Sequence, residues 1–350
     1  MKLLKFKKFI KSSVQWGLAL IFAFLIMNLI VACYHSQGGW IDRDSASTLG
    51  IRIPGSLIVM GTEGHGIYRV DDRGYINDNL PLDEDYTLVV GASYTQGFEV
   101  KNGERFTDIL NERLRTSDEA IKVYNVSQSA YYFPDVVGGF SALNQEFSEA
   151  ENIVIEIGTT NYTVEELKYA QIQRNYDEMQ QGENILSTLP LKKRLTLFIR
   201  EYCPLVNILQ SQMEQIIDKN ANKDVEGTEV ASQEVIAFNY NDYASELDSI
   251  LKLMKSKYSG NIIILFHPNV SMDEGGKLII KESETTKIFE SVCDENGIEF
   301  VNATEAFYEQ YESEQIVPYG FQNTELGNGH LNASGHKILA DLLYNVLKGE

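Results

Sequence analysis

Five short apolar runs, each followed by a stretch of helical periodicity, restrict this chain to few folds. The runs are Tyr86 to Val90, Ile121 to Val126, Ile153 to Ile157, Ile262 to Phe266 and a shorter Ile298 to Val301. Near-continuous apolar character over strand length marks strands buried on both faces, as in a parallel sheet covered by helices. The helical stretches are Arg105 to Arg115, Asp135 to Glu146, Tyr243 to Lys257, Glu282 to Asn296 and Ser334 to Lys348. In the last, Leu339, Leu342, Leu343 and Val346 fall at i, i+3, i+4 and i+7, one stripe facing a sheet, and Asn332 is placed to cap its start. The expected class is α/β with a parallel sheet of about five strands.

The amino terminus is of another kind. Lys2, Lys5, Lys7, Lys8 and Lys11 crowd the first positions, and no acidic residue precedes Asp42. From Trp16 to Cys33 no side chain is charged and only Asn28 is strongly polar, a length that crosses a hydrocarbon core as a helix. A basic flank before such a run keeps the amino terminus in the cytoplasm and exports the rest of the chain. Two readings stay open: an uncleaved signal anchor, or a lipoprotein signal ending in Ile30-Val31-Ala32-Cys33. Either leaves the body outside the cytoplasmic membrane and attached to it.

Residues 34–84, rich in Gly, Ser and Asp, read as a tether with a few short strands. Residues 85–350 then form the main domain, interrupted between the third and fourth runs by an insertion at about 162–240. A parallel crossover needs only a dozen or so residues, so the insertion has structure of its own. Its middle, Leu189 to Ile217, reads as helical, and Lys219 to Gln233 as a mobile polar loop. Lys192, Lys193, Arg194 and Arg200 interleave with Leu191, Leu195, Leu197 and Phe198. A packing helix, a lid, or a surface touching anionic headgroups would each have this pattern.

Composition removes whole classes. With 30 basic against 50 acidic residues the formal charge is −20, and taking out the five amino-terminal lysines leaves −25 on the rest. A phosphate-gripping nucleic-acid binder needs the opposite balance, and strongly anionic polymers would be repelled as substrates. Three cysteines make no disulfide scaffold or zinc site, and at most Cys203 and Cys293 are able to pair. No His-Glu-x-x-His and no phosphate-cradling Gly-Lys loop occurs, so no metal and no cofactor is expected.

The candidate chemistry gathers where the runs end, since open α/β sheets bind ligands beyond their carboxyl edge. The first run passes into Gly91-Ala92-Ser93-Tyr94-Thr95-Gln96-Gly97, which sets a serine on a tight turn. The second ends in Asn125-Val126-Ser127-Gln128-Ser129-Ala130 and the third in Gly158-Thr159-Thr160-Asn161. Near the carboxyl terminus stands Gly329-His330-Leu331-Asn332-Ala333-Ser334-Gly335-His336.

Those four blocks, in that order, resemble the SGNH (GDSL-like) hydrolase family over roughly Asp83 to Leu347. The resemblance implies a three-layer α/β/α sandwich and a serine hydrolase acting on ester bonds. It makes Ser93 the nucleophile and His330 the base, with oxyanion donors from the backbone of Ser93 and Ala130 and from the third block. Three positions depart from the family pattern. Ala92 stands in place of an Asp. Thr160 occupies the place of the oxyanion Asn, so either Asn161 serves through a one-residue shift or that donor is missing. The acid normally two or three residues before the His is absent, the positions being Asn328 and Gly327. The open choices are orientation of His330 by Asn328, substitution by Glu325, or a Ser93–His330 dyad. His336 is expected to be a packed or capping residue, and His267 lies near enough to the edge to touch substrate.

The implied activity is removal of O-acyl groups, O-acetyl first, from an extracytoplasmic carbohydrate. Transfer to a sugar hydroxyl is the second possibility and requires a membrane acyl-donor protein as partner, because one membrane segment carries no acyl group across a bilayer. A scaffold that binds a glycan or a protein without catalysis is the third. The expected partners are the acylated carbohydrate and the cytoplasmic membrane, with no nucleic acid.

Overall fold

The computed structural model describes residues 2–36, 40–41, 50–115, 120–172, 190–210, 213, 238–273, 275–280 and 283–349. Helix α1 (Lys2–Tyr34) precedes three small strand pieces: β1 (Trp40–Ile41), β2 (Ile51–Arg52), and the hairpin β3 (Leu57–Met60) with β4 (Gly66–Arg69). The main sheet then forms from β5 (Leu82–Val90), β6 (Ile121–Asn125), β7 (Asn152–Ile157), β8 (Asn261–Phe266) and β11 (Glu299–Asn302). A small antiparallel pair, β9 (Val270–Met272) and β10 (Leu278–Ile280), lies between β8 and β11 in the chain. The helices after α1 are α2 (Ser93–Gln96), α3 (Phe106–Leu114), α4 (Phe133–Glu146), α5 (Val164–Ala170), α6 (Leu191–Tyr202), α7 (Tyr240–Lys257), α8 (Glu284–Glu295), α9 (Thr304–Glu314) and α10 (Ala333–Lys348).

The sheet is parallel throughout, in the spatial order β11-β8-β7-β5-β6. Counted in chain order its strands run 2-1-3-4-5, so the direction of winding reverses between β5 and β7. Such a switch point opens a crevice at the carboxyl edge, and Ser93 lies directly beyond β5.

Alternation along the strands sorts the core into two layers. Leu88, Val90, Ile153, Ile155, Ile157, Ile262, Ile264 and Phe266 face one side, with residues of α4, α5, α7 and α8. Val89, Val154, Ile263 and Leu265 face the other, with residues of α3, α9 and α10. Each fully buried branched side chain contributes about 1.5–3 kcal/mol, so both layers are held by burial and the sheet is apolar on both faces. Ser283 caps α8 by accepting from the Thr286 N–H, and Asn332 caps α10 by accepting from the Ser334 and Gly335 N–H groups, as its position implied.

Several local expectations change. Residues 57–70 are not merely part of a tether, because Ile58, Met60, Tyr68 and Val70 form a small core with Ile76 and Phe98 that docks the hairpin onto the main domain. Strand β5 begins at Leu82, ahead of the apolar run, and α9 and the β9–β10 pair were not foreseen. Cys203 and Cys293 are both free thiols, and Cys293 is buried in the helical layer, which excludes their pairing. Of the helical reading for Leu189 to Ile217, α6 and residues 204–210 are described, and Lys219 to Gln233 lies outside the described residues.

Candidate active site

The backbone leaving β5 turns at once into the single turn α2, which Gly97 closes in the left-handed conformation. That turn lifts Ser93 to the carboxyl edge. His330 stands just ahead of α10, and the Asn332 cap fixes the direction of the chain there. The two meet: His330 Nε2 lies 2.9 Å from Ser93 Oγ, across 237 positions of sequence. This is the distance a proton transfer between hydroxyl and imidazole requires.

The other ring nitrogen is held by a residue that the motifs did not indicate. His330 Nδ1 lies 2.7 Å from Glu63 Oε2, and the His330 backbone N–H donates to Glu63 Oε1 at 2.7 Å. Glu63 sits at the tip of the β3–β4 hairpin in Gly61-Thr62-Glu63-Gly64-His65. Asn323 clamps that tip, accepting from the Gly64 N–H at 2.9 Å and donating to the Gly61 and Gly64 carbonyls at 3.1 Å each. Gly329 makes the approach possible, because it has φ of +86° and a Cβ there would run into Glu63 Oε1.

The expected orienters therefore need correction. Asn328 is exposed, with its Oδ1 accepting from the Gly329 N–H at 2.8 Å and its Nδ2 donating to Glu325 Oε2 at 3.4 Å. Neither Asn328 nor Glu325 is bonded to the imidazole, whose Nδ1 is held by Glu63 and whose Nε2 faces Ser93. Ser93, His330 and Glu63 thus stand in line as a hydrogen-bonded relay. A hairpin tip flanked by glycines, carrying a carboxylate between two apolar runs, was the signal available in the sequence.

A second carboxylate lies behind the first. Glu99 Oε1 is 3.8 Å from His330 Nδ1, and its side chain is only 7% exposed. Burial pushes the Glu99 carboxyl up. Burial opposes the charged form of His330, but the Glu63 hydrogen bond together with the charges of Glu99, Glu63 and Glu156 outweighs it, and the pKa of His330 is raised above its ordinary value of 6.5. Burial also opposes ionisation of Glu63, yet its bonds to His330 prevail and hold its carboxyl below the usual range. As pH falls, His330 is thus the first of the pair to change state, and a protonated imidazole does not accept the serine proton. We expect kcat/KM to rise with pH through an apparent midpoint above 6.5. A pH–rate profile of an activated acetate ester checks this, and a midpoint below 6.5 would contradict it.

Glu156 supports the nucleophile turn from below. This lone carboxylate within the apolar run of β7 is fully buried, and its Oε2 accepts from the Ala92 N–H and the Thr95 hydroxyl, each at 2.9 Å. Its Oε1 lies 2.8 Å from His267 Nε2, and His267 Nδ1 lies 2.6 Å from the Tyr319 hydroxyl, which donates to the Pro268 carbonyl. His267 is wholly buried in this network and does not open to substrate. A charged residue inside a buried strand signals a satisfied hydrogen-bond network, since it persists only when hydrogen-bonded, but not which partners satisfy it. The Tyr94 ring lies between the imidazoles, 4.7 Å from His267 and 5.3 Å from His330 by centroid. His336 is buried against Phe106 and accepts from its backbone N–H at 3.3 Å, a packing role as expected.

The oxyanion candidates divide. Ala130 has φ of +58°, the left-handed region that a glycine would adopt without strain, so the backbone there has the shape of a glycine position although the residue is alanine. The Ser93 and Ala130 N–H groups carry no hydrogen bond among the described residues. Thr160 does not serve through its side chain, because its buried Oγ1 joins the Thr286, Thr285 and Ser283 hydroxyls at 2.9, 3.0 and 3.3 Å. Asn161 is exposed, its Oδ1 accepts from the Thr285 hydroxyl at 2.6 Å, and no bond ties it to Ser93 or His330 among the described residues. The Thr160 and Asn161 side chains are thus drawn toward the start of α8.

The arrangement is that of a hydroxyl, an imidazole and a carboxylate in line at a sheet's carboxyl edge, the constellation that activates a serine. Among solved structures the chain is similar to TesA, at 13% identity and a TM-score of 0.39, over 76% of this chain and 99% of that one. It is similar to Axe2, an acetylxylan esterase from Geobacillus stearothermophilus, at 14% identity and a TM-score of 0.37, over 76% and 94%. The acetyl xylan esterase AlAXEase shows 12% identity and a TM-score of 0.36, over 75% and 99%. No protein-family model matches the chain, and no curated protein matches it. Likeness at this level carries no conclusion about chemistry, which rests on the site itself.

Proposed function

We propose that this chain is a membrane-anchored serine esterase that removes O-acyl groups, O-acetyl first, from an extracytoplasmic carbohydrate. The observation that carries this reading is the unbroken relay from Ser93 through His330 to Glu63. In the reaction His330 takes the Ser93 proton as Oγ attacks the ester carbonyl, then returns it to the departing sugar hydroxyl. Water, deprotonated by the same imidazole, cleaves the acyl-serine. Glu63 keeps the Nδ1 hydrogen in place and balances the imidazolium charge. The Ser93 and Ala130 N–H groups receive the oxyanion, each worth about 3 kcal/mol of barrier if aimed correctly.

The anchor is α1: within its segment Lys8–Tyr34 a window of 18 residues reaches a mean hydropathy of 2.4 and is not buried by the rest of the protein. One contact favours an uncleaved anchor over a removed signal: Asn28, which cleavage would remove, is bonded to the body at Tyr202 and Leu205. A contact of Tyr34 with Gly61 favours acyl transfer as a further reading. The Glu63 hairpin rests on the end of α1, so the relay lies close to the membrane face where a membrane partner would deliver an acyl group.

A fluorophosphonate probe is expected to label the full chain at Ser93, and a folded sample that takes no label would favour the non-catalytic scaffold. Incubation of an acetylated glycan separates the remaining readings. Free acetate as the product supports hydrolysis, whereas acetate appearing on an added acceptor glycan supports transfer.

A further inference from the structure

Helix α6 has an apolar face that nothing described in the chain covers. At about 100° per residue, Leu191, Leu195, Phe198, Ile199 and Tyr202 fall within one stripe roughly 100° wide. Leu191 is 80% exposed, Leu195 and Phe198 58% each, and Tyr202 62%. Away from this stripe Leu197 is buried in the main core, which fixes the helix to the body and leaves the stripe facing outward. Lys192 and Arg194 flank the stripe on its two sides, and Lys193 lies on the opposite face. This is the distribution of a helix lying in a membrane interface, with cationic heads beside an apolar face.

The contact that identifies the occupant is made by Asn28, the one strongly polar side chain in the uncharged run of α1. Its Nδ2 donates to the Tyr202 carbonyl at 2.7 Å, and its Oδ1 accepts from the Leu205 N–H at 3.2 Å. Tyr202 ends α6 and Leu205 lies in the first turn of residues 204–210, so both partners are backbone groups that helix ends leave unsatisfied. An amide inside an apolar helix is thereby engaged through both its nitrogen and its oxygen, and α6 is tied to α1 at a defined level. Asn28 precedes Tyr34 by six residues, about 9 Å of helix at a rise of 1.5 Å per residue. Interfacial helices sink their apolar face about 5–10 Å into the headgroup and acyl boundary, so the tie sets the carboxyl end of α6 at that depth.

We infer that α6 lies on the outer surface of the membrane that α1 crosses, with its Leu191–Tyr202 stripe in the acyl boundary and Lys192 and Arg194 on anionic headgroups. This rests on the reading of α1 as an uncleaved anchor. The domain is then held to the bilayer at two places, the end of α1 and α6, and does not swing freely on a tether. The relay would act on acyl groups presented at the membrane surface.

The test uses the full chain in phosphatidylcholine nanodiscs containing phosphatidylglycerol, with the native cysteines replaced by serine and a nitroxide on a single cysteine introduced at Leu20, Lys193, Leu195 or Phe198. Labels at Leu195 and Phe198 are expected to collide more with oxygen than with a water-soluble nickel chelate, like the label at Leu20, while the label at Lys193 favours nickel. Labels at Leu195 and Phe198 that favour nickel overturn the proposal, as do labels shielded from both agents, which would mean that protein covers the face. If the Leu20 label itself favours nickel, the anchor reading falls and this proposal with it. In the chain with its native cysteines, amide exchange over residues 191–202 is expected to slow severalfold when phosphatidylglycerol is added to phosphatidylcholine discs. No such slowing counts against the headgroup contact.

Discussion

Ser93→Ala is expected to lower kcat on an activated acetate ester by about six orders of magnitude, by analogy with removal of the nucleophile from a serine protease. The physical basis is the 2.9 Å contact from Ser93 Oγ to His330 Nε2, which no other hydroxyl makes among the described residues. Loss of one oxygen from a half-buried turn leaves Ala92, Thr95 and Glu156 bonded as before, so the thermal midpoint should hardly move. The residual rate is whatever the Ser93 and Ala130 backbone donors and substrate binding supply without a nucleophile. Measured turnover together with fluorophosphonate labelling decides the matter. A variant that keeps most of its activity and still takes the label would remove Ser93 from the mechanism.

Glu63→Gln is expected to lower kcat by about 10⁴-fold, by analogy with amide replacement of a triad acid. A glutamine keeps the shape of the hairpin tip but offers His330 Nδ1 an amide that is able to donate. The imidazole then holds its proton on Nε2, facing Ser93, and is no longer a base for it. Loss of the carboxylate also removes an influence that raises the His330 pKa, so the residual activity should persist to lower pH than in the native protein. By contrast, Asn328→Ala and Glu325→Gln touch neither ring nitrogen and should change kcat by less than about tenfold. Should Glu63→Gln behave like those two, the serine and histidine would be working as a dyad.

These two residues were unequally visible in the sequence. Ser93 follows an apolar run at a tight turn, and His330 precedes a helix whose cap Asn332 is plain, and the family resemblance that those two blocks carry located both. Glu63 follows no such rule. It lies in a short, Gly-rich stretch that reads as tether, and it becomes part of the site only because Ile58, Met60, Tyr68 and Val70 pack with Ile76 and Phe98 and bring the hairpin onto the domain. Thr160 misled for a related reason. Its position after β7 matches an oxyanion donor, but the Ser283, Thr285 and Thr286 hydroxyls at the start of α8, more than 120 residues further along the chain, draw it away.

The parallel sheet, its two covered faces and the long apolar helix at the amino terminus could be derived from the chain alone, because each depends on neighbours within a few positions. Period-two and period-3.6 burial, caps and hydrocarbon length are local quantities. The acid that orients His330, the commitment of Glu156 to the nucleophile turn and the tie from Asn28 to α6 could not. Each is a hydrogen bond between residues 64 to 267 positions apart, and a hydrogen bond is made or lost within about half an ångström, a distance that residue order does not encode.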